Sequence, residues 1–141
     1  MDTFCKCLDS TVSSCQHEAN DEDEDLGLYV WYCPLNSRDF LDRLHTYLLY
    51  YYREKLNAQE HVDNLFKQAF RCFKSLTFQT LSPLIIYRVL LCCFIYVNKL
   101  YTDKTIPHSY WASIGCMSGE LLSKIETDFI CRRISYSHFD L

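Results

Sequence analysis

Glycine and proline are scarce. The 141 residues hold three of each, too few turn-formers for a β-sandwich or barrel, which needs a turn about every 8–12 residues. Basic charge is also short. Fourteen Lys and Arg stand against 18 Asp and Glu, a formal net charge of −4, and no basic stripe offers the footprint that a nucleic acid requires. There is no Gly-rich phosphate loop, no G-x-S-x-G and no H-E-x-x-H, so the common phosphoryl-transfer, acyl-transfer and zinc-hydrolase signatures are missing. No apolar stretch near residue 1 has the form of a signal peptide. The long apolar stretch Leu84–Val97 has Arg88 inside it and spans 14 residues, against about 20 for a membrane span. A buried core helix is expected there, and no membrane partner.

What the chain does have is apolar mass. Hydrophobic residues make up 49% and aromatic ones 16%, enough to fill the core of one domain of this length. With so few turn residues, that domain is expected to be all-α. Nine cysteines, an odd number, sit at positions 5, 7, 15, 33, 72, 92, 93, 116 and 131. Cys92 and Cys93 lie inside the apolar run, where thiols behave as small hydrophobes. Reduced cysteines in the cytoplasm or nucleus are the expectation. Cys5, Cys7, Cys15 and His17 count four zinc-ligand types, but C-x-C followed by C-x-H departs from the usual C-x₂₋₄-C spacing, and no metal is expected. Cys116 can be paired on paper with His108 or His138 as thiol and imidazole, yet nothing in the spacing requires it. No catalytic residue and no cofactor is expected.

Residues 1–35 carry no helical or strand period and include the acidic run Asp21–Asp25. They read as a flexible acidic arm unable to offset its ordering entropy, with Leu28–Tyr32 as an apolar patch inside it. Residues 36–141 read as a single five-helix domain. The first helix starts at Ser37, capped by Asn36 or Ser37, and runs to about Leu56 with Phe40, Leu44, Tyr47, Leu48 and Tyr51 on one face. Asn57-Ala-Gln-Glu60 resembles a capping box for a second helix with the stripe Val62, Leu65, Phe66, Ala69, Phe70, Phe73 and Leu76. Ser82-Pro83 opens the third. That helix is apolar on every side, so the others must cover it. A short fourth helix spans 108–114 and stops at Gly115. A fifth, capped by Ser118, runs from Gly119 to about Arg133 with Leu121, Leu122, Ile125, Phe129 and Ile130 forming a wide apolar face.

Two stretches carry more than helix periodicity. Arg88-Val-Leu-Leu-Cys-Cys-Phe-Ile-Tyr-Val-Asn-Lys99-Leu-Tyr-Thr-Asp103 is similar to R-L-L-L-x-A-x-x-x-A-x-K-x-x-D-D, the third-helix pattern of cyclin boxes. Tyr110-Trp-Ala-Ser-Ile-Gly115-Cys-Met-Ser-Gly-Glu120-Leu-Leu-Ser-Lys-Ile-Glu126-Thr-Asp-Phe-Ile130 resembles the family's Y-W-A-K-V-G-G-I-S-x-E-E-L-N-x-L-E-x-x-F-L. From Val62 to Leu141 the chain resembles a cyclin box, and the P/U-type cyclins most closely. The family's second helix often ends in I-D-R-L, its aspartate paired with an arginine of the first helix. Phe73-Lys74-Ser75-Leu76 stands here instead, so that ion pair is missing. Asn98 stands where alanine is usual.

The resemblance implies a five-helix cyclin box with a central, buried third helix. It also implies a non-catalytic subunit that binds and activates a cyclin-dependent protein kinase as a heterodimer. In the family, a lysine ending the third helix and a glutamate in the fifth contact the kinase; Lys99 and Glu126 match them. Tyr96, Leu100 and Ile130 match the apolar contacts around that pair. A helical scaffold that binds a non-kinase partner and activates nothing is the alternative that the residues leave open.

Overall fold

The computed structural model describes residues 1–14, 36–76, 83–102 and 105–130. Every regular element among them is a helix: α1 (Asp2–Ser14), α2 (Ser37–Tyr51), α3 (Ala58–Lys74), α4 (Pro83–Tyr101), α5 (His108–Ile114) and α6 (Gly119–Asp128). The last five are the helices expected from the sequence. Asn36 caps α2 by accepting from the Asp39 amide at 2.9 Å, and Ser118 caps α6 by accepting from the Leu121 amide at 3.1 Å. Two boundaries differ from expectation. Helix α2 ends at Tyr51 rather than near Leu56. Asn57 precedes α3 in the left-handed conformation, φ 63°, and its side chain makes no capping bond, so no capping box forms.

Helix α1 corrects the expectation of a flexible arm from residue 1. Phe4, Cys5, Leu8 and Val12 fall on one stripe, and Leu8 is fully buried. The Phe4 ring stacks on Phe70 with centroids 4.7 Å apart and lies 5.6 Å from Phe66, while Asp2 pairs with Arg38 of α2. Docking on a preformed aromatic surface offsets an ordering entropy that the isolated segment cannot. The acidic run 21–25 and the Leu28–Tyr32 patch lie outside the described residues. So do Cys15 and His17. Cys5 points into the core, where burial raises its thiol pKa, and Cys7 is partly buried against it. Among the described residues no cluster of three or more His, Cys, Asp or Glu side chains could hold a metal.

Helix α4 is the axis. Every residue from Ile86 to Ile95 is buried, Arg88 included, and burial resumes at Val97 and Asn98. Its principal neighbour is α3, along which the predicted stripe is buried from Val62 to Phe73, with Leu76 buried just beyond the helix end. Phe94 is the hub, its ring 4.8 Å from Phe66 and 6.4 Å from Phe70. Cys93 of α4 and Cys72 of α3 meet in a thiol–thiol hydrogen bond. Burial holds the Cys93 thiol far above its usual range, and the bond from Cys93 lowers Cys72. Both are free thiols. No helix is long and apolar enough to cross a membrane among the described residues.

Without the family's ion pair, α2 meets α3 through other contacts. His45 edges onto the Phe66 ring at 5.6 Å, and Gln59 lies 3.3 Å from His45 while donating to Asp63 at 2.9 Å. Arg43 of α2 turns to α5 instead. Its Nε donates to the Ile114 carbonyl at 2.7 Å, an acceptor at the helix C-terminus, and its Nη2 to that of Ser113 at 3.1 Å, which also accepts from the Cys116 amide at 3.2 Å. Helix α5 stops at Gly115 as expected, but for a different reason than left-handed backbone: Gly115 has φ −82°, and Cys116 is the left-handed residue, φ 51°. A Cβ on Gly115 would lie 3.3 Å from Leu91 Cδ2 and 2.6 Å from Met117 Cε, so the glycine lets α5 approach α4.

Candidate functional site

The buried part of α4 ends at Asn98, and the next three residues, Lys99, Leu100 and Tyr101, emerge into solvent. Asn98 anchors that exit. Fully buried, it donates through Nδ2 to the Tyr52 hydroxyl at 3.0 Å and to Thr102 Oγ1 at 3.4 Å, and its Oδ1 accepts from the Ile106 amide at 3.0 Å. One side chain thus ties the end of α2, the end of α4 and the connection to α5. Burial raises the pKa of the Tyr52 hydroxyl, and the Asn98 bond opposes that rise.

Lys99 sits in the last turn of α4, where a cation complements the helix dipole. Its Nζ lies 3.4 Å from Glu126 Oε1 of α6. The two side chains differ in freedom: Lys99 is 56% exposed and Glu126 only 17%. The other carboxylate oxygen, Oε2, lies 3.4 Å from His108 Nδ1 at the start of α5. His108 Nε2 in turn lies 3.0 Å from the Gly119 carbonyl oxygen and 3.3 Å from Ser123 Oγ. Three helices therefore converge on one carboxylate.

Apolar groups flank the cluster. Tyr96, one turn before Lys99 on α4, is half-buried against Phe129 with ring centroids 6.2 Å apart. Leu100 is 45% exposed and Ile130, one turn beyond Glu126, is 52% exposed. The structure so brings Lys99, Glu126 and Tyr96 to the adjoining edges of α4 and α6; Leu100, next in sequence to Lys99, and Ile130, one turn beyond Glu126, are exposed apolar residues of the same two segments. A hydroxyl and an imidazole do meet at this edge, Ser123 Oγ 3.3 Å from His108 Nε2, but the same nitrogen lies nearer the Gly119 carbonyl oxygen, at 3.0 Å. Cys116, considered with His108 in the sequence, has its Sγ 2.9 Å from Arg43 Nη2, while His108 faces Glu126; His138 lies outside the described residues. What the edge can do is bind: a lysine offers donors to carbonyls, a glutamate offers acceptors to amides, and two aliphatic side chains offer area.

Sequence reasoning missed His108 as a neighbour of Glu126. The 17 residues between them pass through two helices and a turn, and no periodicity links residues across such a connection. It also missed the Asn98 network. The signal there was available: an amide at the end of an all-apolar helix has to find partners.

A family model for cyclins matches residues 32–137. No curated protein and no solved structure gives a significant match. The matched range takes in α2 to α6 and both edges of the candidate site, leaves α1 outside, and covers more than half of the 141 residues: the chain belongs to the cyclin family.

Proposed function

We propose that this chain is a non-catalytic regulatory subunit, of the P/U type, that binds and activates a cyclin-dependent protein kinase in the cytoplasm or nucleus. The observation that carries the reading is the pairing of Lys99 and Glu126 at 3.4 Å, with Leu100 and Ile130 exposed on the same two segments. Kinases require a Lys–Glu ion pair whose glutamate rides on a mobile helix. A partner that binds the inward position of that helix better than the outward one shifts its population. Moving such an equilibrium from 1:99 to 99:1 takes about 5.5 kcal/mol of preference. An exposed ion pair supplies about 0–1 kcal/mol, so the charges fix register and the apolar anchors supply most of the affinity.

The test is capture. A tagged chain is expected to recover a cyclin-dependent kinase, identified by mass spectrometry, whose activity on a generic peptide rises on mixing. Leu100→Ala and Ile130→Ala are each expected to weaken capture by about tenfold, with melting temperatures unchanged because both side chains are already exposed. Recovery of a partner with no kinase activity would favour the scaffold reading instead.

A further inference from the structure

Asn98 reaches both sides of the candidate edge. On one side it closes the turn that carries Lys99 and Leu100. Its carbonyl accepts from the Thr102 amide at 3.1 Å, and its Nδ2 donates to Thr102 Oγ1 at 3.4 Å. Backbone and side chain thus clasp the same turn. The same Nδ2 donates to the Tyr52 hydroxyl at 3.0 Å, which seats that turn on the end of α2. On the other side Oδ1 accepts from the Ile106 amide at 3.0 Å. Two residues later His108 opens α5, its Nδ1 3.4 Å from Glu126 Oε2. The chain leaves the edge at Thr102 and returns to it at Ile106, and one carboxamide holds both points. We infer that Asn98 is a positioning residue for the binding edge: it fixes the last turn of α4 against the approach to α5, and so sets Lys99 and Leu100 opposite Glu126 before a partner arrives.

The residues offered to a partner need such a support. Lys99 and Leu100 are both exposed, so packing constrains them little and their placement comes from the backbone beneath. Asn98 itself is fully buried and Ile106 nearly so, so water does not readily take over the bond between them. Alanine is usual at this position in the pattern that the chain resembles, and a methyl group has no donor or acceptor to offer Thr102 or Ile106. A turn held beforehand costs less to order on binding. Without the carboxamide, the last turn of α4 keeps its backbone bond, but the approach to α5 is no longer tied to it.

The inference rests on the α4–α6 edge being the kinase contact, and two arms separate its failure from the failure of that reading. The first is amide hydrogen exchange on the full chain and needs no partner. In the wild type the Ile106 amide is expected to be protected, although Ile106 belongs to no helix. An Ile106 amide that exchanges like an unbonded loop amide would overturn the inference, whether or not any variant folds. The second arm uses the kinase recovered with the wild-type chain and compares Asn98→Ala with Leu44→Ala. Leu44 is fully buried in α2, and its truncation costs comparable stability. Both variants are measured at a temperature where both are folded. Asn98→Ala is expected to weaken capture by about tenfold and to speed exchange at residues 99–102 and 106. Leu44→Ala is expected to leave capture and that local exchange close to those of the wild type. Equal capture by the two variants would contradict the inference, since lost stability alone would then account for both. Undiminished capture by Leu100→Ala and Glu126→Ala would instead remove the reading beneath it.

Discussion

Asn98→Ala is expected to lower the unfolding free energy by about 3 kcal/mol. Two groups lose a bond at once: the amide of Ile106 and the hydroxyl of Tyr52, each bonded to Asn98 at 3.0 Å, although the hydroxyl keeps its bond with Thr102. Asn98 and Ile106 are buried, and Tyr52 is only 9% exposed, so water does not readily replace the bond, and an unsatisfied buried group loses about 1–3 kcal/mol. Tyr52→Phe removes the bonds to Asn98 and Thr102 but leaves the Ile106 contact, so a smaller loss of about 1–2 kcal/mol is expected. Urea unfolding of the two variants and the double variant checks this. The double variant should fall short of the sum, because the Tyr52 bond cannot be lost twice. An Asn98→Ala protein as stable as the wild type would mean that the end of α4 is held by something else.

Phe94→Ala is expected to cost about 3–5 kcal/mol, the usual range for emptying a buried phenylalanine site. Phe94 has no exposed surface and touches two rings of α3. Those rings also carry Phe4 of α1, so partial collapse into the cavity would disturb α1 as well. A domain of this size is stable by about 5–15 kcal/mol, so the variant should melt far lower or fail to fold at all. Leu56→Ala is the control. Leu56 is 86% exposed, and a change within about 0.5 kcal/mol is expected. If both substitutions had similar small effects, α3 and α4 would not share the core described here.

The core was legible because burial imposes a period. Val62 to Leu76 repeat at helical spacing, and every member of that stripe is buried. The apolar girth of the third predicted helix required it to be enclosed, and α4 is enclosed. Helix α1 was hidden because its buried residues are only Cys5 and Leu8, with Phe4, Cys7 and Val12 partly buried against the core. Cysteine gives a weak apolar signal, and the stripe is stable only against Phe66 and Phe70, some 60 residues away. The site divides the same way. Lys99 and Glu126 were singled out through resemblance rather than spacing, and their 3.4 Å approach depends on how α6 folds back along α4. His108 belonged to no pattern. Local rules describe caps and faces; they do not say which helix ends meet.

The central claim is that the α4–α6 edge grips a kinase. Lys99→Glu combined with Glu126→Lys tests it most directly, because the pair survives with its signs exchanged while the face shown to a partner is reversed. Kinase capture, kinase activation and thermal melting are measured together on the variant and the wild type. The account predicts that capture and activation are lost while melting stays within a few degrees of the wild type. A well-folded variant that still captured and activated the kinase would contradict it.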